Sequence, residues 1–182
     1  FDLKHDARPL LKHTDKLTLI QWSRLPYNPL RVAEGMDVRA YWRLLSEVLA
    51  FDWGVWLPGA NYLLSILDEL YPNYEKTGKF PTLHDVYRVL LGRHETTHKA
   101  QEYYTVSFNR SHALVSVFRD VINCSEGYPI EKLIERPVAI ELTPGLRQAE
   151  QSFYIESFLS FIHQLHLARR IRGEKLRLMV II

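Results

Sequence analysis

Apolar residues recur every three or four positions through the middle of the chain and cluster into short continuous runs near its two ends, which separates helices from strands. Tyr41, Leu44, Leu45, Val48 and Leu49 keep helical spacing behind Asp37, a natural N-cap. Leu63, Leu64, Ile66, Leu67 and Leu70 repeat the pattern after Pro58-Gly59, and Pro72 is expected to close that helix. Thr82 and Asp85 form an approximate capping box, which predicts a third helix through Val86, Val89 and Leu90 to Gly92. Two more helical stretches are predicted over 96–106 and 111–122, leading into the turn Ser125-Glu126-Gly127-Tyr128-Pro129. The longest helix is predicted from Arg147 to Arg172, with Phe153, Ile155, Phe158, Phe161, Ile162, Leu165 and Ile171 on one wide face. Gly173 is its expected C-cap, and Arg169, Arg170 and Arg172 complement its dipole.

The strand-like runs lie outside this helical middle. Phe1 to Leu3 reads as the end of a strand, followed by a polar stretch with a short helix around Arg8 to Lys12. Leu17 to Trp22, Val138 to Leu142 and Leu176 to Ile182 read as further strands, and Asn28-Pro29 breaks regular structure between them and the helices. Strand, long helix, strand is a βαβ unit, whose strands should be parallel with a right-handed crossover. The expected fold is therefore α/β, in one domain. Residues 1–36 and 137–182 form its parallel-sheet core and 37–136 a mainly helical insertion.

Composition narrows the class. The chain has 182 residues, 47% hydrophobic and 24% charged, which fits an ordinary packed core and excludes a disordered or collagen-like chain. A net charge of +2, with the basic residues scattered, gives no strong electrostatic case for nucleic acid or a lipid surface and leaves the partner open. The single cysteine, Cys124, cannot form an internal disulfide, and no apolar run approaches the ~20 residues of a membrane span, so a cytoplasmic setting is expected. Phe1 replaces an initiator Met, and the chain stops at the end of an apolar run, so sequence is expected on both sides of it.

Several local patterns invite chemistry. His94-Glu95-Thr96-Thr97-His98 matches the helical zinc-hydrolase pattern, in which histidines one turn apart hold zinc and a glutamate acts as base. Lys99 sits beside the second histidine, and Gln101 and Tyr104 stand where an extended zinc motif needs Gly and His, so a solvated polar helix is the better reading. Glu126, Glu131 or Glu135 could still serve as a third ligand. His84-Asp85 resembles half of a two-metal site, but Asp85 already has a capping role. Thr77-Gly78-Lys79 fails as a phosphate loop, since Asn73 and Phe80 replace a glycine and a metal-binding hydroxyl. Cys124 lacks a base near it in sequence, and Trp53 and Trp56 read as core residues that could otherwise stack on bases.

A resemblance adds to these readings. Phe1-Asp2-Leu3-Lys4-His5-Asp6 resembles the segment after the second core strand of the HerA/FtsK class of P-loop ATPases. Asn28-Pro29-Leu30 is similar to a turn of their conjugation-type relatives, and Pro81-Thr82-Leu83-His84-Asp85-Val86 to the start of a helix in their insertion. The final third resembles the approach to their Walker B strand: Val138 to Leu142, the long helix, Arg172 to Glu174 and Leu176 to Ile182. The resemblance implies a RecA-like sheet and an ATPase, using ATP and Mg²⁺, that forms homo-hexameric rings and moves DNA or, in related machines, protein. The phosphate loop would precede Phe1 and the Walker B acids would follow Ile182, so these 182 residues alone should not hydrolyse ATP. Ligand-binding groups of open α/β sheets sit beyond the carboxyl ends of the strands. That rule makes Asp2, Lys4, Asp6, Glu141, Thr143 and Arg147 the candidates for the nucleotide edge. A non-catalytic α/β interaction module and the zinc hydrolase remain the alternatives.

Overall fold

The computed structural model describes residues 1–143, 145–169 and 179. Two short strands, β1 (Thr18–Gln21) and β2 (Val138–Glu141), pair in parallel, with Thr18 opposite Val138 and Gln21 opposite Glu141. On the other side of β2, Asp2 forms a parallel bridge to Glu141: its N–H donates to Ile140 O at 2.8 Å, and Leu142 N–H donates to Asp2 O at 3.2 Å. The expected strand end at Phe1 to Leu3 is thus a single bridge, and β2 lies between it and β1. The predicted strand Leu176 to Ile182 and the Gly173 cap lie outside the described residues, Met179 excepted.

Helices account for most of the rest, an α/β arrangement dominated by its helical part: α1 (Val38–Asp52), α2 (Trp56–Thr77), α3 (Leu83–Gly92), α4 (His98–Phe118), the single turn α5 (Ile130–Leu133) and α6 (Gln148–Ala168). The starts of α1 and α3 follow the sequence closely, whereas α2 opens at Trp56, with Pro58-Gly59 inside its first turn rather than ahead of it. Asp37 accepts from Ala40 N–H at 2.7 Å, and Thr82 and Asp85 close a reciprocal capping box. Two further expectations need correction. Pro72 does not end α2, which runs on to Thr77 and stops at Gly78 in the left-handed region (φ 69°). Proline removes one helical hydrogen bond, and the neighbouring turns carry the helix past it. The stretches 96–106 and 111–122 are one helix, because nothing in Ser107-Phe108-Asn109-Arg110 breaks it; Thr97 caps it and a 3₁₀ turn, Arg119–Val121, ends it. Helix α6 begins one residue later than expected, with Arg147 as its N-cap.

One continuous core joins the sheet to the insertion. Helix α6 presents Phe153, Tyr154, Phe158, Phe161 and Leu165 to it, and α1 contributes Tyr41, Trp42, Leu45 and Leu49. The hub is the turn Asn28-Pro29-Leu30. Trp42 Nε1 donates to Leu30 O (2.8 Å) and the Tyr41 hydroxyl to Pro29 O (3.0 Å), so two fully buried rings of α1 spend their polar tips on it. The buried Asn28 amide donates to Pro81 O (3.0 Å) and Ser125 O (2.8 Å), while its oxygen accepts from Leu30 N–H (2.9 Å). Gly127 completes the turn at φ 66°; a side chain there would press on Asn28 N and Pro26 O at 3.0 Å. Gly59 is needed for another reason, since a Cβ would fall 2.2 Å from Val55 Cγ2. Among the described residues, no helix is long and apolar enough to cross a membrane.

Asn28→Ala leaves the buried Pro81 carbonyl and the half-buried Ser125 carbonyl without their donors and is expected to cost about 2–3 kcal/mol. A urea titration of the two proteins measures it, and a loss below about 0.5 kcal/mol would show that the turn does not tie these loops together.

Candidate functional site

The carboxyl end of β2 carries Glu141, whose side chain has 0% of its surface open to water. An isolated buried carboxylate is costly, so the charge must be paired. Arg8, from the 3₁₀ turn Arg8–Lys12, reaches it with both prongs: Nε at 2.5 Å from Oε1 and Nη2 at 2.9 Å from Oε2. His5 Nδ1 adds a contact at 2.9 Å to Oε1, set off the line of a good hydrogen bond. The cover over Glu141 is thin, because it consists of these partners rather than of core, and Arg8 itself is 53% exposed. The Arg8 guanidinium, helped by His5, outweighs desolvation and holds the Glu141 carboxyl at about 2.

The chain between these residues is wound around a second carboxylate. Asp2, only 7% exposed, accepts from the N–H groups of Lys4 (3.2 Å), Asp6 (3.0 Å) and Ala7 (3.1 Å). This turn places His5 in the left-handed region at φ 61°, a strain of about 1 kcal/mol. Thr143, just past β2, closes the arrangement: its hydroxyl donates to Leu3 O and lies 3.1 Å from His5 Nε2.

Of the six residues expected at this edge, Asp2, Glu141 and Thr143 come together. Lys4 and Asp6 lie on the same loop, contributing backbone N–H groups to Asp2 while their side chains point to solvent. Arg147 is not part of the group. Its guanidinium closes on the nearly buried Glu150 at 2.6 Å, one turn into α6, so it serves the helix start. His5 and Arg8 are additions that the sequence did not single out. A run of charges after a strand was visible, but the partner of Arg8 is 133 residues away.

Asp2, His5 and Glu141 offer ligand atoms within 4.8 Å of one another, the one such group among the described residues. Their chemistry does not fit a metal. Glu141 already spends both oxygens on a guanidinium, and Asp2 already accepts three amides, so Arg8 is the cation of this site. The zinc-hydrolase geometry is also not formed. His94 and Glu95 lie in the loop before α4, where Glu95 accepts from the Tyr62 hydroxyl (2.8 Å), and His98 begins the helix facing Glu102 (3.3 Å). Thr77-Gly78-Lys79 forms the end of α2, and Asp85 does cap α3. Cys124 is half-buried, which pushes its thiol up, away from the reactive thiolate.

No family model matches the chain, and no curated protein matches it either.

Because the Glu141 carboxyl is lower in the folded chain than in the unfolded one, its contribution to stability is full above about pH 4.5. It is lost as the pH falls through about 2. The stability gap between the protein and Glu141→Gln should therefore shrink over that acid window. Urea midpoints measured from pH 6 to pH 2 check this, and a gap independent of pH would contradict it.

Proposed function

We propose that the chain is the part of a DNA-translocating, ring-forming P-loop ATPase of the HerA/FtsK class that lies between the phosphate loop and the Walker B carboxylates. The observation that carries this reading is the parallel order of the Asp2 bridge, β2 and β1, with charged side chains gathered at their carboxyl ends. Open parallel sheets bind ligands at that edge. The RecA-like topology and the homo-hexamer belong to the same reading. A subunit contact is supported by the tip between α1 and α2, where Phe51, Trp56 and Leu57 are 65–70% exposed.

The residues present assign the roles. Glu141 and Asp2 are structural carboxylates, committed to Arg8 and to loop amides, and they are unsuited to hold Mg²⁺. Lys4 and the exposed part of Arg8 are the cations that would meet nucleotide phosphates at the rim. Holding the triphosphate and orienting water fall to the loop and acids on either side in the complete machine.

Titration with a fluorescent ATP analogue tests this. The 182-residue chain is expected to bind weakly or not at all. A chain extended through the phosphate loop and the Walker B acids should hydrolyse ATP with Mg²⁺, faster in the presence of DNA, with Lys4→Ala raising KM about tenfold. Tight binding by the 182 residues, or no ATPase in a well-folded extended chain, would contradict the assignment.

A further inference from the structure

Parallel strands on either side of a third need a crossover, and a crossover is usually held by a helix packed on the sheet. The one between the Asp2 bridge and β1 is held differently. Asp2 pairs with Glu141 at the carboxyl end of β2 and Thr18 with Val138 at its start, so residues 3–16 run back across β2 to join them. None of those residues is buried. The 3₁₀ turn Arg8–Lys12 leaves Leu10 and Leu11 at 52% and 44% exposure, and none of Leu3, Leu10 and Leu11 belongs to the core. A cavity of about 480 Å³ opens between crossover and sheet, lined by Leu3, Ala7 and Leu10 of the one and by Leu17, Val138 and Ala139 at the other.

Polar contacts do the holding instead. The backbone bonds of this segment turn inward: Lys4, Asp6 and Ala7 donate to the Asp2 carboxylate, and His13 (2.9 Å) and Thr14 (3.1 Å) donate to Leu10 O. Among the described residues, the hydrogen bonds and ion pairs that reach past Asp2 to the rest of the chain all end on Glu141 or Thr143. Arg8 and His5 hold the Glu141 carboxylate, and the Thr143 hydroxyl meets Leu3 O and His5 Nε2.

Glu141 is therefore sealed by the crossover and not by the core. Lifting the crossover returns the carboxylate to water instead of stranding it, and it releases His5 from its left-handed backbone at φ 61°. A 3₁₀ turn of five residues has no stability of its own once it is loose. Few buried apolar contacts and tethers gathered at one point are the marks of a segment that opens without the rest of its fold.

We propose that residues 3–16 are a strap that opens and recloses over the carboxyl end of β2 while the rest of the fold stays intact, with the Arg8–Glu141 pair as its latch. Closed, the strap withholds the Glu141 carboxylate from solvent and roofs the cavity. Open, it exposes both. Lys4 and Arg8 ride on the strap, so the cations assigned to the nucleotide rim move with it; that consequence rests on the nucleotide reading, whereas the opening itself does not.

Hydrogen exchange of the 182-residue protein, read by NMR at the bonded amides of Asp6, Ala7, His13 and Thr14 and along α6, tests the strap. Leu165→Ala, a fully buried position of α6, should speed exchange in α6 at least about tenfold and leave the strap amides unchanged, because strap opening does not disturb that side chain. Arg8→Gln should speed exchange at the strap amides at least about tenfold. If Leu165→Ala does not fold, urea below the unfolding transition replaces it on the unaltered protein. Exchange in α6 then accelerates with urea while the strap barely responds, since its opening exposes little surface. Strap amides that follow α6 in either comparison open only with the whole molecule, which would overturn the proposal. Unchanged strap exchange in Arg8→Gln would overturn the latch. These measurements are made without nucleotide, so a strap that fails them leaves the ATPase reading standing, and an extended chain without ATPase activity leaves the strap standing.

Discussion

A carboxylate with no surface open to water, set at the end of a parallel strand, dictates how this edge of the molecule is built. Glu141 must be paired, and its partners, Arg8 and His5, come from the first eight residues, with Arg8 133 positions away along the chain. That requirement draws the first eight residues against β2 and fixes the Asp2 bridge. The Asp2 carboxylate then organises the loop by taking three of its amides, and His5 accepts a left-handed backbone to reach both Glu141 and Thr143. The charges at the sheet edge are therefore held in place by partners within the chain itself. The loop that carries Lys4 is held in place by the same interaction.

The helical part is fastened to this sheet by a polar hub rather than by apolar contact alone. Asn28 binds the backbone ahead of α3 and after α4, while Tyr41 and Trp42 bind the backbone of the same turn from α1. Burying these groups with every hydrogen bond made gives a directional link between insertion and sheet. Helix α6 supplies the apolar side of the joint through Phe158 and Phe161, which face Tyr27 and Tyr41. The division into residues 1–36, 37–136 and 137–182 describes the order of the chain, but the core runs through all three parts.

Local chemistry was legible in the sequence where one turn of chain contains both partners. Asp37, and Thr82 with Asp85, announce their helices, and the apolar runs announce β1 and β2. The failures have the same origin from the other side. Pro72 looks like a stop, yet the turns on either side of it keep the helix going. Arg147 looks like a sheet-edge cation because it follows β2 by six positions, but Glu150 lies closer and takes it. The rule that strand ends bind ligands points to Asp2, Glu141 and Thr143, and the fold does bring these three together. It does not point to Arg8 or His5, since a salt bridge across 133 residues leaves no spacing to read.

A double-mutant cycle on Arg8 and Glu141 tests the central claim most directly. If the ion pair holds the first residues of the chain against β2, Arg8→Gln and Glu141→Gln each destabilise the protein, and the double variant loses clearly less than the sum of the two. Strict additivity of the two losses, measured by urea unfolding at neutral pH, would mean that Glu141 does not depend on Arg8 and that the sheet edge is organised by something else.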